Sequence, residues 1–325
     1  MTNRPASNSV NVDASPLPLP LFISAGEALT DLIRTDDDQW LSKTGGSVWN
    51  VARAMASLGV STGFAGAISQ DWFGDALFAA SQEANLDLRF LQRVARSPLL
   101  AIVYETTPPQ YNFIGENSAD LAFDPTLLPA NWQSAAKWAH FGGISLTRTP
   151  LAEKLIALAE ELKQAGVKIS YDPNFRNVMT PQYDPVLKRM AQLADVIKVS
   201  DEDLCGLFRT DDQDAALATL RSFNPEAAIL LTLGAQGATM LVGEQEWHVM
   251  PPAIQIVDTV GAGDAGIAGL IYALIQESQD ATTPSTEIDW HQHLRFSVAC
   301  GSAACMTAGA KPPQLAQAVS LLSSI

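Results

Sequence analysis

The chain has 325 residues, of which 47% are hydrophobic, and this is enough to bury the core of one large α/β domain or of two smaller ones. Its 20 basic and 35 acidic side chains give a formal net charge of −15, which opposes non-specific binding to nucleic acid or to an anionic membrane. The 3 cysteines are sparse and show no CxxC spacing, so the sequence predicts neither a disulfide framework nor a zinc site and fits a cytoplasmic protein.

Residues 1–20 differ in composition from the rest of the chain. They carry four prolines among Ser and Asn and show no apolar periodicity, which is typical of a flexible tail. They lack the continuous apolar segment of a signal peptide, and no run of about 18 apolar residues follows, so we expect no membrane span. The predicted folded part covers residues 21–325.

From residue 21 onward, short apolar runs alternate with amphipathic helical patterns. This alternation predicts a mostly parallel sheet with helices on both faces, and therefore an α/β fold. The predicted strands of this sheet are 21–25, 62–68, 139–144, 167–171, 196–199 and 228–233. The predicted helices include 72–83, 151–163 and 264–276, and a further helix begins at Gly45 and Gly46.

Two segments interrupt this alternation. The alternating patterns between residues 86 and 114, which include LLAIVYE and QYNFIG, predict antiparallel strands, and we expect a second segment of the same unit near residues 28–42. Antiparallel strands inserted into a doubly wound chain indicate a small lid. Closure of such a lid over a substrate would exclude water from it.

Polar residues and glycines follow the first predicted strand, at the edge where open parallel sheets bind ligands. Asp31 could accept hydrogen bonds from two hydroxyl groups of a ligand, or it could be a solvated loop residue. Gly45 and Gly46 would admit a ligand close to the backbone, and Asn50, one turn later, can donate and accept hydrogen bonds. A glycine cap and an ordinary polar helix position would explain the same residues.

Charged residues follow two later strands. Arg176 lies in a loop that Pro173 keeps out of helical geometry, and it could pair with a phosphate or a carboxylate or form a local salt bridge. Ser200 and Asp203 fit a capping box at a helix start. Glu202, in the same turn, could hold Mg²⁺ through water.

The stretch DTVGAGDAGIAGL at 258–270 organises the rest of the chain. Gly261, Ala262 and Gly263 let the backbone turn tightly and aim successive N–H groups at one point, which makes an anion site at a helix start. Asp264 beside that site fits a general base aimed at a nucleophile. Two other interpretations of the stretch compete with this one. Asp264 could be a helix cap. The glycines could form a GxGxxG dinucleotide-binding loop, but only a helical pattern follows them, which argues against such a loop.

DTVGAGD resembles the signature of the ribokinase-like (PfkB) carbohydrate kinases. Other segments resemble motifs of that family in the same order, and the resemblance covers nearly everything after about residue 20. These segments are GGSVWNVARAMASLG at 45–59, GAISQDWFGD at 66–75, YDPNFR at 171–176, KVSDED at 198–203 and LTLGAQGA at 231–238. GEALTDLI at 26–33 together with YDPNFR is most similar to bacterial fructokinases, with 2-keto-3-deoxygluconate kinases close behind.

The resemblance implies a ribokinase-like fold with a small antiparallel lid, and transfer of the γ-phosphoryl group of Mg-ATP to a sugar hydroxyl. Asp264 would be the base, and the turn formed by Gly261, Ala262 and Gly263 the anion site. The sugar would contact Asp31, Gly45, Gly46, Asn50 and Arg176. ATP would contact Lys198, Ser200, Thr232, Gly234 and Gly237. Glu202 would serve Mg²⁺, and Asp258 would lie beside a monovalent cation such as K⁺.

Other classes of protein stay open at this point. A catalytically silent sugar-binding regulator on the same fold is opposed by the presence of Asp264 beside an intact turn, and an NAD-dependent oxidoreductase by the context of the glycines. Among kinases, an acid sugar would need a cation for its carboxylate, and Arg34 or Arg176 could serve. Sugar and ATP are the expected partners, nucleic acid and membrane are not, and dimers are common in the family.

Overall fold

The computed structural model describes residues 18–106, 109–279 and 288–325. These residues form thirteen strands and nine α-helices. The strands are β1 (Phe22–Ala25), β2 (Leu29–Asp36), β3 (Gln39–Gly45), β4 (Thr62–Ser69), β5 (Leu91–Val94), β6 (Leu100–Thr106), β7 (Pro109–Ile114), β8 (Trp138–Gly142), β9 (Lys168–Asp172), β10 (Val196–Ser200), β11 (Ala228–Thr232), β12 (Ala238–Val242) and β13 (Gln245–Val249). The helices are α1 (Ser47–Ser57), α2 (Trp72–Glu83), α3 (Leu151–Gln164), α4 (Asp184–Leu193), α5 (Asp201–Phe208), α6 (Gln213–Phe223), α7 (Ala262–Gln279), α8 (Trp290–Cys305) and α9 (Leu315–Leu322).

A nine-stranded sheet is the centre of the fold, with the order β13-β12-β11-β10-β9-β8-β1-β4-β5. The strands from β11 to β5 are parallel, and β12 and β13 add an antiparallel hairpin at one edge. Helices α3 to α6 contribute to the core on one face, and α1, α7, α8 and α9 to the core on the other. Strands β1, β4 and β8 are consequently buried along their whole length, which explains their continuous apolar runs.

A second sheet of four strands, with the order β3-β2-β6-β7, forms what we call the lid. Its outer pairs are antiparallel, whereas the central pair of β2 and β6 is parallel. Strands β2 and β3 are inserted between β1 and α1, and β6 and β7 are inserted between β5 and β8. The lid therefore begins directly after the carboxyl end of β1, where ligands of parallel sheets bind.

The predicted α/β fold, with a mostly parallel sheet and a small second sheet, is confirmed. The predicted lid boundaries were wrong in two places. The segment 86–114 starts too early, because Leu91–Val94 pairs with β4 in the large sheet, so only β6 and β7 belong to the lid. The segment near 28–42 ends too early, because β3 continues to Gly45.

The predicted tail, residues 1–20, lies outside the described residues except for its last three positions. Pro20 is buried, and Leu19 packs against the core beneath α3 to α6. The packed part of the chain therefore begins before residue 21. Of the helices in the described part of the chain, none is long and apolar enough to cross a membrane.

Candidate active site

The predicted site residues gather at the carboxyl ends of neighbouring parallel strands. Ser200 is the last residue of β10 and Thr232 the last of β11, and Asp172, which was not predicted as a site residue, ends the neighbouring β9. Because these strands are parallel neighbours, their ends lie at one edge of the sheet. Asp264 of α7 reaches the same edge, where its charge interacts with that of Lys198 on β10.

Asp264 is buried in the first turn of α7 and accepts two hydrogen bonds from α1. Ser47 Oγ donates to Asp264 Oδ1 at 2.9 Å, and Asn50 Nδ2 donates to Asp264 Oδ2 at 2.9 Å. Burial raises the pKa of Asp264 above its usual value, and the two hydrogen bonds and the charge of Lys198 oppose this shift. A carboxylate with raised basicity and a fixed orientation is suited to accept a proton.

The predicted GAG turn, Gly261 to Gly263, leads from an irregular stretch into α7. Gly261 has a φ of +83°, and a Cβ there would lie 2.9 Å from Ala310 Cβ, so this position needs glycine. The first i to i−4 bond of the helix runs from Ala265 N to Gly261 O. The N–H groups of Gly263 and Asp264 precede that bond, at the positions where helix N-termini bind anions.

Gly263 faces a buried cation. A Cβ at Gly263 would lie 3.1 Å from Lys198 Nζ. Lys198 is 4% exposed, and its Nζ lies 3.0 Å from Asp172 Oδ2 and 3.6 Å from Asp203 Oδ2. Burial opposes the charge of Lys198, but the two carboxylates outweigh it and hold the pKa of Lys198 above its usual value. The GAG turn therefore lies against a buried ammonium group whose charge is stabilised by the carboxylates of Asp172 and Asp203.

Asp31 and Arg176 lie near each other and near Tyr111 of the lid. The Arg176 guanidinium stacks over the Tyr111 ring, 5.0 Å from its centroid. Burial raises the pKa of Asp31 to about 6, and the charge of Arg176 opposes the shift. Burial raises the pKa of the Tyr111 hydroxyl, and the charges of Arg176, Asp31 and Asp264 all contribute to its pKa. Asp31, which is on strand β2 rather than in a loop, thus converges with Arg176 toward Asp264.

Gly45 and Gly46 connect the lid to α1. A Cβ at Gly45 would collide with the Asp31 carboxylate, and a Cβ at Gly46, whose φ is +114°, would lie 2.7 Å from Glu27 O. The two glycines thus allow the strand that carries Asp31 to approach the helix that carries Asn50. Asn50 Oδ1 is buried without a hydrogen-bond partner among the described residues, which leaves one acceptor for a ligand.

The predicted capping box at the start of α5 is present. Ser200 Oγ accepts from Asp203 N at 2.9 Å, and Asp203 Oδ2 accepts from Ser200 N at 2.8 Å. Glu202 beside it is exposed, and no group of three or more His, Cys, Asp or Glu that could hold a metal occurs in the described ranges. Because Mg²⁺ keeps several waters and binds phosphate oxygens, a single exposed Glu202 fits a water-mediated contact rather than a protein cage.

Asp258 joins two loops beside the GAG turn. Its Oδ1 accepts from Val260 N at 3.0 Å, and its Oδ2 accepts from Gly309 N at 2.8 Å. In the same turn the N–H of Ala262 donates to Thr259 O at 3.2 Å, so one of the predicted anion donors is already engaged. The Asp258 carboxylate therefore fixes the backbone around the turn.

Thr232, Gly234 and Gly237 lie between the end of β11 and the start of β12. Thr232 Oγ1 lies 3.4 Å from Val199 O, and Gly234 is exposed. The stretch before α7 is attached to the end of α8 by a hydrogen bond from Val257 N to Cys305 O, and α8 packs on β12 and β13. Val257 is 57% exposed, so this part of the site is open.

Several polar residues of the site were not predicted, among them Asp172, Tyr111, Ser47 and Glu27. Ser47 contacts Asp264, although its only signal in the sequence was its place directly after a Gly-Gly pair at a helix start. Glu27, directly after β1, is buried and accepts hydrogen bonds from the Ser145 hydroxyl and, at 3.2 Å, from Ser145 N. Burial raises the pKa of Glu27 to about 7.

The site thus combines a buried carboxylate at a helix start with a glycine-containing turn and a buried lysine ammonium group. Its position at the carboxyl ends of a parallel sheet is the one expected for a ligand site of this fold class. The chain belongs to the pfkB family of carbohydrate kinases, whose model matches residues 21–317. It is an ATP-dependent carbohydrate kinase.

Individual relatives agree with this assignment. The chain is 31% identical over 255 residues to the aminoimidazole riboside kinase of Salmonella typhimurium, covering 77% of this chain and 79% of the relative. It is 30% identical over 295 residues to the fructokinase of Klebsiella pneumoniae, covering 88% and 93%. The structure of fructokinase with bound ATP from Xylella fastidiosa matches with a TM-score of 0.83 at 28% identity, over 94% of this chain and 99% of that chain. The predicted family and ribokinase-like fold are confirmed.

Proposed function

We propose that the chain transfers the γ-phosphoryl group of Mg-ATP to a hydroxyl group of fructose. Similarity to proteins named fructokinase supports this acceptor. The observation that carries the proposal is the pair of hydrogen bonds that hold the buried Asp264 carboxylate at the start of α7, beside the GAG turn. An acid sugar such as 2-keto-3-deoxygluconate is the alternative acceptor, because Arg176 could pair with its carboxylate.

Asp264 would accept the proton of the sugar hydroxyl as the hydroxyl oxygen attacks the γ-phosphorus, and the bond from that phosphorus to the β,γ-bridging oxygen would break, so that ADP leaves. In phosphoryl transfer the protein contributes mainly by positioning the reactants and by stabilising charge. The N–H groups in the first turn of α7 and the Lys198 ammonium would stabilise negative charge on the transferring group. Mg²⁺ supplies further neutralisation of the phosphates when it is bound, and Glu202 would contact it through water.

Three side chains would fix the sugar. Asp31 would accept hydrogen bonds from two hydroxyl groups, and the unpartnered Asn50 Oδ1 would accept another. Arg176 would connect the loop after β9 with the lid through its stacking on Tyr111. Enclosure of the sugar by the lid would exclude water and suppress hydrolysis of ATP.

The nucleotide would lie on the other side of Asp264. Lys198 and Ser200 from β10 would contact ATP there, together with Thr232, Gly234 and Gly237. This assignment is supported by their common position at the carboxyl ends of β10 and β11. K⁺ beside Asp258 would complete the set of bound ions.

The test is ADP release from Mg-ATP across a panel of fructose, ribose, 2-keto-3-deoxygluconate, tagatose and nucleosides. We expect turnover with fructose. Asp264→Asn should lower kcat by about 10²- to 10⁴-fold, because the proton acceptor is lost. ATP binding, measured by calorimetry, should stay unchanged, because the N–H groups of the turn remain.

Asp214→Asn is the matched control, because Asp214 is an exposed carboxylate in the first turn of α6. This variant should keep the kcat of the parent protein. Full activity of Asp264→Asn would contradict the proposed mechanism. Binding of ATP and sugar without turnover in the unmodified protein would favour the catalytically silent regulator.

A further inference from the structure

The hydrogen bond from Ser47 to Asp264 joins the first turn of α1 to the first turn of α7. Ser47 is the first residue of α1, and the N-cap position belongs to Gly46, which makes no side-chain cap. The hydroxyl of Ser47 is therefore not the helix cap. It reaches instead to a carboxylate that is 217 residues away in the chain.

Helices α1 and α7 are held together by apolar packing. Val51 and Met55 of α1 belong to the same buried cluster as Ile267 and Ile271 of α7, and each of these four side chains has an exposed fraction of 0%. This cluster lies one or more turns beyond Ser47 along α1. Attachment of the two helices thus does not require a polar contact at their first turns.

We propose that Ser47 is a positioning residue that holds the Asp264 carboxylate in its working orientation and keeps it ionised before the sugar binds. This inference rests on the proposed role of Asp264 as the base. Ser47 and Asn50 each donate to a different carboxylate oxygen, which prevents rotation of the group about its last bond. A carboxylate offers about four acceptor positions, so two are left for the sugar hydroxyl.

Several other groups face Asp264 and act on its charge. Two cations on neighbouring elements interact with its charge: Lys198 on β10 and Arg176 after β9. The carboxyl group of Asp172, at the end of β9, interacts with it as well. The hydroxyl of Tyr111 on the lid strand β7 faces it as well. These groups stay in place when Ser47 is changed, so a substitution at Ser47 isolates the effect of one hydrogen bond.

The measurement is kcat/KM for the accepted sugar as a function of pH, at saturating Mg-ATP, in the full chain and in Ser47→Ala. A hydrogen bond donated to a carboxylate favours its ionised form, so removing the donor raises the pKa of Asp264. The base must be ionised to accept a proton, and the acidic limb of the profile should therefore move to higher pH. We expect a shift of about half a unit to one unit. The KM for ATP should not change.

Two further variants separate this role from a structural one. Ser47→Thr keeps a hydroxyl at the same place and should restore the acidic limb of the parent protein. Ser57→Ala removes a partly buried hydrogen bond from the other end of α1, where Ser57 Oγ donates to Pro313 O at 2.9 Å. We expect Ser57→Ala to lower the midpoint of urea unfolding and to leave the acidic limb at the pH found for the parent protein.

The outcomes distinguish the inference from the proposed function. If Asp264→Asn abolishes turnover and the Ser47→Ala profile is unshifted, the role of Ser47 is refuted and the kinase mechanism stands. An equal shift in Ser57→Ala would also refute it, because the effect would then follow from a general loosening of α1. If Asp264→Asn retains full turnover, the proposed base is wrong, and the inference fails with it.

Discussion

The two sides of Asp264 are built from different parts of the chain. On the sugar side, the proposed contacts are the half-buried side chains of Asp31, Asn50 and Arg176, and Arg176 also donates to Phe175 O at 2.7 Å. On the nucleotide side, the proposed contacts are Gly234, Gly237 and Thr232 at the end of β11, together with Lys198 and Ser200 of β10, and the nearby Ile256 is 61% exposed.

This difference indicates where selectivity resides. Oriented polar side chains that are shielded from water reject a ligand that leaves them unpaired, and the sugar side has such groups. Backbone groups at an open edge accept any ligand with suitable phosphates. We therefore expect substitutions on the sugar side to change which acceptor is used, and substitutions on the nucleotide side to have little effect on selectivity.

The largest effect is expected at Lys198, where the two sides meet. Lys198→Met leaves the carboxylates of Asp172 and Asp203 buried without their cation. We expect a loss of about 3–5 kcal/mol in the free energy of unfolding, measured by urea denaturation at neutral pH. Burial already raises the pKa of Asp172 to about 6, and loss of the ammonium would raise it further. The deficit should therefore shrink as the pH falls to about 5, because Asp172 becomes neutral.

Lys168→Met is the control for Lys198→Met. Lys168 Nζ lies 2.9 Å from Asp195 Oδ1, but its side chain is 59% exposed. Exposed pairs contribute at most about 1 kcal/mol, so this variant should unfold close to the parent protein. Equal losses in the two lysine variants would show that burial does not govern the contribution of Lys198.

The next largest effect is expected at Asp31. Asp31→Asn keeps the size of the side chain but removes the charge that strengthens hydrogen bonds to sugar hydroxyls. We expect kcat/KM for the sugar to fall by about 10- to 150-fold, with no change in the KM for ATP. Asp36→Asn, at the exposed end of the same strand, should leave both constants unchanged. A rise in the KM for ATP would place Asp31 on the wrong side of the site.

Much of the fold follows from local pattern, because strands buried on both faces must be apolar throughout. The helix predicted at 72–83 matches α2, and the strand predicted at 62–68 matches β4 within one residue. The lid boundary did not follow from pattern. Leu91–Val94 lies within the segment that was assigned to the lid, but its pairing with β4 depends on contacts that are distant in sequence.

The site was predictable to the extent that topology alone brings strand ends together. Ser200 and Thr232 had to meet at one edge once the sheet was parallel. The partners of Asp264 did not follow in this way, because Ser47 is separated from it by most of the chain. The capping box of Ser200 was correct because it depends on four consecutive residues only.

The smallest effect is expected at Thr232, and it tests the comparison most sharply. Thr232→Val removes the hydroxyl from the end of β11 and keeps a β-branched side chain. A single neutral hydrogen bond to ATP would then be lost, and we expect the KM for ATP to rise by about 2- to 10-fold with no change for the sugar. Thr239→Val, which removes a hydrogen bond to His248 within the hairpin, should leave both constants unchanged. The contrary result is that Thr232→Val weakens ATP binding as strongly as Asp31→Asn weakens use of the sugar. Side chains rather than backbone groups would then hold the nucleotide, and the two sides of Asp264 would bind their ligands by the same kind of contact.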